Sequence, residues 1–492
     1  MTTTPVIPGF HPDPSICRAG ETYYVANSSF EYMPGVPIWR STDLVRWTQV
    51  GNALTRANQI RPHSGAAGSG VYAPTLRHHD GRFWLVTTDI GTIQDGHLIV
   101  SATDPDGPWT DAVHTRGTLG IDPDLSWDEE GVCHLTWASF HPNLRGIASC
   151  PVDPATGELL DEPRLLWPGS GLAHPEGPHL YRIDGWWYLL LAEGGTERGH
   201  SVTIARARTL DGPFEPAPHN PILSHRSSDH PVQNTGHADL VECVDGTWAM
   251  VYLGVRPRGT TPAFHTNGRE TFVAGVDWVD GWPVVDEDRF TPDVPDTSFV
   301  DTFASAQLHP RWVSPGSGPD TFSVRGEDGL TISALPEGLS RSLLCARVQD
   351  LEWTARVRMD VAGGTGRFVL RIDDAHWYGL TVEADTVQAS IAVGPAVSTI
   401  GRATHSGGVV DLRISARAAP GVGGRPGSAP DLITLSVADA DGSEEVFGEF
   451  DGRYLSTEVA GGFTGRMLGI EAVAGAIEVL EVSYSAAAPS SA

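Results

Sequence analysis

A short pattern recurs five times before Val255, and it constrains the architecture more than any other feature of the chain. Each copy opens on an acidic or small residue (His in the last), often followed by Pro. A Leu or Ile comes next, then a turn containing Gly, then a strand rich in aromatic residues. The copies begin at Asp13, Ala73, Asp122, Glu176 and His237. Their interval of about 50 to 60 residues is what four short strands and their loops occupy in one propeller blade. Helical periodicity is almost absent, and Gly, Asp and Pro fence the apolar runs. The pattern predicts an all-β chain whose residues 1–290 form a five-bladed β-propeller.

At 492 residues the chain is too long for one core, so a second domain is expected. A polar, Pro-containing stretch from Glu287 to Thr297 reads as the linker. Beyond it, segments such as 353–360, 376–385, 410–418 and 432–439 alternate apolar with polar residues between Gly or Asp turns. That pattern predicts a β-sandwich of the jelly-roll, concanavalin-like kind over residues 298–492.

The charge of −28, from 61 acidic against 33 basic residues, argues against nucleic acid and anionic membranes as partners. No apolar run approaches the ~20 residues of a membrane span. The five cysteines are scattered, without metal or redox spacing, and the first residues lack a basic segment followed by an apolar one. A cytoplasmic protein is expected from these features.

In a closed ring of blades, residues that open equivalent inner strands converge on the central channel. Asp13, Asp122 and Glu176 hold three of the five such positions. Hydrolysis of a glycosidic bond needs one protonated carboxyl and one ionised carboxylate on opposite sides of a sugar, and a third carboxylate can hold the proton on the acid. The prolines around Asp13 fix its backbone, although an Asp in such a turn can equally accept backbone N–H groups. Asp124 is also acidic, and strand alternation is expected to turn it differently from Asp122. His237 should face the channel, either as a hydrogen-bonded core residue or as a metal ligand. There is no His-Glu-x-x-His, no Gly-x-Ser-x-Gly and no phosphate-binding Gly loop.

The words Pro8-Gly9-Phe10-His11-Pro12-Asp13-Pro14, Ser28-Ser29-Phe30-Glu31-Tyr32-Met33-Pro34-Gly35, Tyr72-Ala73-Pro74-Thr75-Leu76-Arg77, Gly120-Ile121-Asp122-Pro123, Pro175-Glu176-Gly177-Pro178-His179, Glu193-Gly194-Gly195-Thr196, Asn234-Thr235-Gly236-His237-Ala238-Asp239 and Gly268-Arg269-Glu270-Thr271 resemble glycoside hydrolase family 43. The resemblance implies an inverting, exo-acting enzyme that releases terminal β-D-xylose from xylo-oligosaccharides, with α-L-arabinofuranosidase on arabinoxylan or arabinan fragments as the alternative. A non-catalytic sugar-binding propeller is the competing class, and it has no need of three carboxylates. By position Asp13 resembles the general base, Glu176 the general acid and Asp122 the residue that tunes and orients it. Arg269 resembles an arginine that contacts substrate hydroxyls, and Phe30, Tyr72, Ala73 and Thr196 resemble residues lining the pocket. No cofactor is implied for the chemistry, while His237 resembles a histidine that in some members helps to hold Ca2+ on the propeller axis. The partner is a xylo- or arabino-oligosaccharide, and a homo-oligomer is compatible with the resemblance. The second domain resembles a β-sandwich that lends a lid to the pocket. In its segment Gly462-Phe463-Thr464-Gly465-Arg466-Met467, relatives place Phe at Met467, and Phe463 is the alternative pocket contact. Asp124 stands where many relatives carry Ser, which adds negative charge near the acid pair.

Overall fold

The computed structural model describes residues 3–336, 341–405, 408–421, 427–438 and 443–487. Five antiparallel sheets follow one another as the blades of a propeller. Their innermost strands are Ser15–Ala19, Thr75–His79, Gly120–Trp127, Glu176–Ile183 and Gln233–Glu242, and each chain segment then zigzags outward to the rim. Blade 5 ends with Trp282–Asp286. Asp80-Gly81, Asp184-Gly185 and Asp280-Gly281 each have positive φ at both residues. Such pairs make the tight turn whose twist matches that of paired strands.

Every gap between blades is filled by its own apolar layer. Val36 and Ile38 meet Leu76 and Leu85 between blades 1 and 2. Tyr188 and Ile204 meet Met250 and Phe272 between blades 4 and 5. The ring closes where Val25 and Trp39 of blade 1 pack on Val251 and Val273 of blade 5. The N-terminal segment adds to this seam, with the Val6 N–H donating to the Thr271 carbonyl at 2.9 Å.

The hub is polar. Below the channel mouth, Ser15, Arg77, Asp124, His179 and Asp239 bring one side chain from each blade together. Arg77 lies 2.8 Å from Asp124 and 2.6 Å from Asp239. It also donates to His179 Nδ1 at 2.9 Å and to Ser15 Oγ at 3.4 Å. Burial opposes the charge on Arg77, but the two carboxylates outweigh it and raise its pKa. Asp239 is pushed down to about 2, because Arg77 and His179 overcome its burial.

Asp124 therefore does not turn away as expected. The strand pairing is irregular between Ile121 and Asp124, and Asp124 reaches the axis below Asp122, on Arg77 and not in the upper cavity. Its charge is met by Arg77 and by the Leu180 N–H at 2.9 Å, and is not left bare beside the acid pair.

The second domain is a two-sheet sandwich. Its last strand, Met467–Ala486, pairs early with Leu343–Arg347 and Gly364–Arg371, then with Leu330–Ser333 and Trp353–Asp360. One strand thus crosses between the sheets, around a core that includes Trp353, Phe368, Leu412 and Leu435. Phe10, Phe30 and Tyr32 of the propeller share another apolar cluster with Val313, Leu343, Val369 and Met467 of the sandwich. Arg347 donates to the Phe10 carbonyl at 2.8 Å, and Arg371 to the Tyr32 hydroxyl at 2.9 Å. The two domains are joined by an apolar cluster and these hydrogen bonds, not by the linker alone.

Replacing Arg77 with Met leaves Asp124 and Asp239 buried without their cation. A loss on the order of 3–5 kcal/mol is expected for breaking such a buried pair. Scanning calorimetry should show a lowered first transition, and an unchanged one would remove Arg77 from this role.

Candidate active site

Above the Arg77 layer lies a cavity of about 500 Å³. Asp13, Asp122, Glu176, His237, Arg269, Phe30, Tyr72, Ala73, Thr196 and Phe463 all line it. Ile121, His174, Gly194, Gly195 and Glu197 complete the lining. Sequence reasoning had not singled these out, although each neighbours a residue that it had.

The carboxylates reach the cavity because the inner strands break their register beside them. Irregular pairing occurs between Ile121 and Asp124, between Glu176 and His179, and between Gly236 and Asp239. Asp13, Asp122 and His237 adopt φ of 53°, 55° and 44°, and Gly177 adopts 55°. Bulges of this kind re-aim side chains at sheet ends, and left-handed residues other than Gly persist only where their surroundings hold them. Gly236 has a different reason to be Gly: a Cβ there would lie 2.3 Å from the His200 ring.

Asp13 accepts from Ser28 Oγ at 2.5 Å and from Arg269 at 2.9 Å, and His237 Nδ1 is 3.5 Å away. Burial alone would raise its pKa, but Arg269, His237 and the Ser28 hydroxyl reverse this and hold it below the usual value. Asp13 is thus an ionised carboxylate. His237 is lowered to about 4, chiefly by burial, so its ring is neutral at pH 7.

Glu176 and Asp122 are shifted the other way. Burial and then the charge of Asp13 raise Glu176 to about 7. Burial, Glu176 and Asp13 raise Asp122 well above its ordinary value, against the pull of the Gly177 N–H at 3.0 Å. Two buried carboxyls facing a third that is ionised cannot both lose their protons near neutrality, so the pair retains at least one. The site therefore holds an ionised and a protonated carboxyl at the same pH, as general base and general acid catalysis require.

Loop 169–175, which leads into Glu176, is tied to blade 4 by Glu193. That carboxylate accepts from the Ser170 N–H at 2.9 Å and from Thr203 Oγ1 at 2.5 Å. Arg269 also donates to Thr196 Oγ1 at 3.0 Å and to the Phe463 carbonyl at 3.3 Å.

The sandwich domain supplies part of the wall. Phe463 stacks on Phe30 at 5.3 Å between centroids, and Tyr72 meets both rings edge-on. Met467 is fully buried in the interdomain cluster and does not line the cavity. The approach needs glycine on both sides: a Cβ on Gly465 would lie 2.4 Å from the Asn267 carbonyl, and one on Gly268 3.0 Å from the Gly465 nitrogen.

Residues 2–283 match glycosyl hydrolases family 43, and residues 300–479 match the beta xylosidase C-terminal concanavalin A-like domain. A xylosidase/arabinosidase of Butyrivibrio fibrisolvens is 38% identical over 70% of this chain and 70% of its own length. A non-reducing end alpha-L-arabinofuranosidase of Bacteroides ovatus is 42% identical over 58% of this chain and 53% of its own. Among solved structures, the GH43B protein of a Bacteroides ovatus xyloglucan locus superposes with a TM-score of 0.88 at 31% identity, covering 99% of this chain and 100% of that one. A xylan beta-1,4-xylosidase of Bacillus halodurans gives 0.85 at 27%, with 99% and 100% covered. A propeller with an ionised and a protonated carboxyl at its hub, capped by this sandwich, belongs to glycoside hydrolase family 43, the inverting hydrolases of glycosidic bonds.

Proposed function

We propose that the protein removes single β-D-xylose residues from the non-reducing ends of xylo-oligosaccharides. The observation that carries this reading is the aromatic wall of the cavity, where Phe463 of the sandwich stacks over Phe30 beside Arg269. A wall lent by the second domain suits the seating of a terminal sugar. Apolar ring faces suit the C–H face of a pentose, while Arg269 and Thr196 offer polar groups to its hydroxyls.

In the proposed reaction Asp13 takes a proton from a water molecule as the water oxygen attacks the anomeric carbon. The bond from that carbon to the leaving oxygen breaks, and the leaving oxygen takes the proton of Glu176. The anomeric configuration inverts, and solvent exchange returns both carboxyls to their starting states. Burial and the charge of Asp13 keep Glu176 protonated, and the grip of Asp122 on the Gly177 N–H fixes the backbone beside the acid. Arg269 holds Asp13 ionised and aimed.

No cofactor enters this scheme. Calcium takes six to eight oxygen ligands. Beside His237 the nearby carboxylate is Asp13, already bound by Arg269 and Ser28, and the deeper pair Asp124 and Asp239 is bound by Arg77. These side chains do not fit a calcium cage, and Arg77 supplies a fixed positive charge at the hub instead.

The second reading, α-L-arabinofuranosidase, rests on the relatives that carry that name. The two pentosides differ in a few hydroxyl positions, which hydrogen bonds in such a pocket tell apart. We place the enzyme in the cytoplasm; the five cysteines, all buried and unpaired, support a reducing compartment.

Three outcomes are expected. A kcat/KM for 4-nitrophenyl β-D-xyloside above that for the α-L-arabinofuranoside supports the first reading, and the reverse order selects the second. Replacing Glu176 with Gln should lower kcat about 10²- to 10⁴-fold on xylobiose, whose leaving group needs the proton, and much less on aryl xylosides with good leaving groups; equal losses would count against the acid role. Activity should fall as pH rises through about 7, where Glu176 loses its proton, and again in acid below the usual carboxylate range, where Asp13 gains one. A profile flat through pH 7 on xylobiose would contradict this protonation scheme.

A further inference from the structure

A second cluster of chemically capable side chains lies outside the catalytic cavity. His225 and His230 stand on the loop between the last strand of blade 4 and the first of blade 5, and Glu287 directly follows the last strand of blade 5. One ligand atom from each lies within 4.8 Å of the others. His225 Nδ1 is 2.8 Å from the Val232 carbonyl, and its Nε2 is 2.9 Å from Glu287 Oε1 and 3.1 Å from Oε2. The ring is thus held between two acceptors. A neutral imidazole has one N–H to offer them, so the two contacts together suit the imidazolium form or a cation held between Nε2 and Glu287.

The rings of His225 and His230 lie tilted against each other, 3.8 Å between centroids and 37° apart in plane. His230 Nδ1 sits 3.0 Å from the Val232 carbonyl and 3.1 Å from the Val232 nitrogen. Its Nε2 is buried and has no hydrogen-bond partner. The Val232 N–H donates to Nδ1 when the ring proton is on Nε2; with the proton on Nδ1, Nδ1 donates to the Val232 carbonyl and Nε2 presents its lone pair, the arrangement that orients metal-binding histidines. Tyr252 donates to Glu287 Oε1 at 3.1 Å and so fixes the third group.

We propose that His225, His230 and Glu287 bind one divalent cation of the zinc class. Two imidazole nitrogens and a carboxylate oxygen are the ligands such an ion favours, and water completes a tetrahedral set. The ion joins the loop before blade 5 to the residue that follows it, and so clamps the blade at both ends of its sequence. Ser227, Ser228, Asp229 and His230 of that loop also line a cleft of about 1050 Å³ that meets the catalytic cavity at Thr196, Arg269 and Phe463. The clamp therefore stiffens one wall beside the active site and takes no part in the reaction.

The full chain, stripped with a chelator and dialysed against Zn2+, should retain one equivalent by elemental analysis, and its melting temperature should rise with the metal. His230→Gln and Glu287→Gln should each weaken binding by at least about 100-fold and abolish the rise. Both should keep the activity of the parent on aryl xylosides, which shows that they fold. Asp13→Asn should retain the equivalent, since the catalytic cavity is not the site. Failure of the parent chain to hold zinc, equal retention by the Gln variants, or loss of the metal in Asp13→Asn overturns the proposal.

Discussion

The guanidinium of Arg77 is the contact on which the centre of this protein depends. A propeller that gathers carboxylates from separate blades at its axis must neutralise them where water is scarce, because a buried unpaired charge is strongly unfavourable. Arg77 meets Asp124, Asp239, His179 and Ser15 at once, so its single charge ties blade 2 to the inner strands of the other four. With both carboxylates of the lower layer paired to this one cation, the upper layer holds a different protonation state on each carboxyl. Arg269 completes the division by siding with Asp13 and leaving Glu176 and Asp122 to repel each other's charge.

The same economy of means governs the backbone. A regular strand would send successive side chains to opposite faces of a blade. Left-handed residues at Asp13, Asp122, His237 and Gly177 instead turn the start of four of the five inner strands toward the mouth of the channel. Such conformations are held here by close neighbours: the Gly177 N–H on Asp122, and the His200 ring packed beneath Gly236. Catalytic aim and interblade packing are therefore one arrangement.

The sandwich domain acts on the same site from outside. The cluster around Phe10, Tyr32, Val369 and Met467 seats the two domains rigidly, and the paired glycines 268 and 465 let two backbones nearly touch. Phe463 is thereby delivered to the pocket, and its carbonyl receives Arg269. Met467, four residues on, is buried in the same cluster and anchors the segment, so the two candidates of the lid divide the work of contact and support.

The sequence by itself determined the architecture, since five spaced copies of one strand pattern fit little else than a ring of blades, and an alternating tail fits a sandwich. It also named the residues that open each inner strand, because a closed ring forces such positions together whatever the loops do. The depth and pairing of those residues were decided by the tertiary structure alone. Asp124 was misjudged because its orientation depends on bulges in register and its charge on an arginine from another blade. The cluster of His225, His230 and Glu287 left no repeat or spacing to read, since chain segments far apart in sequence meet only after the blades have closed. Which carboxyl keeps its proton follows from burial and from neighbours contributed by other blades, and no local stretch of sequence contains both.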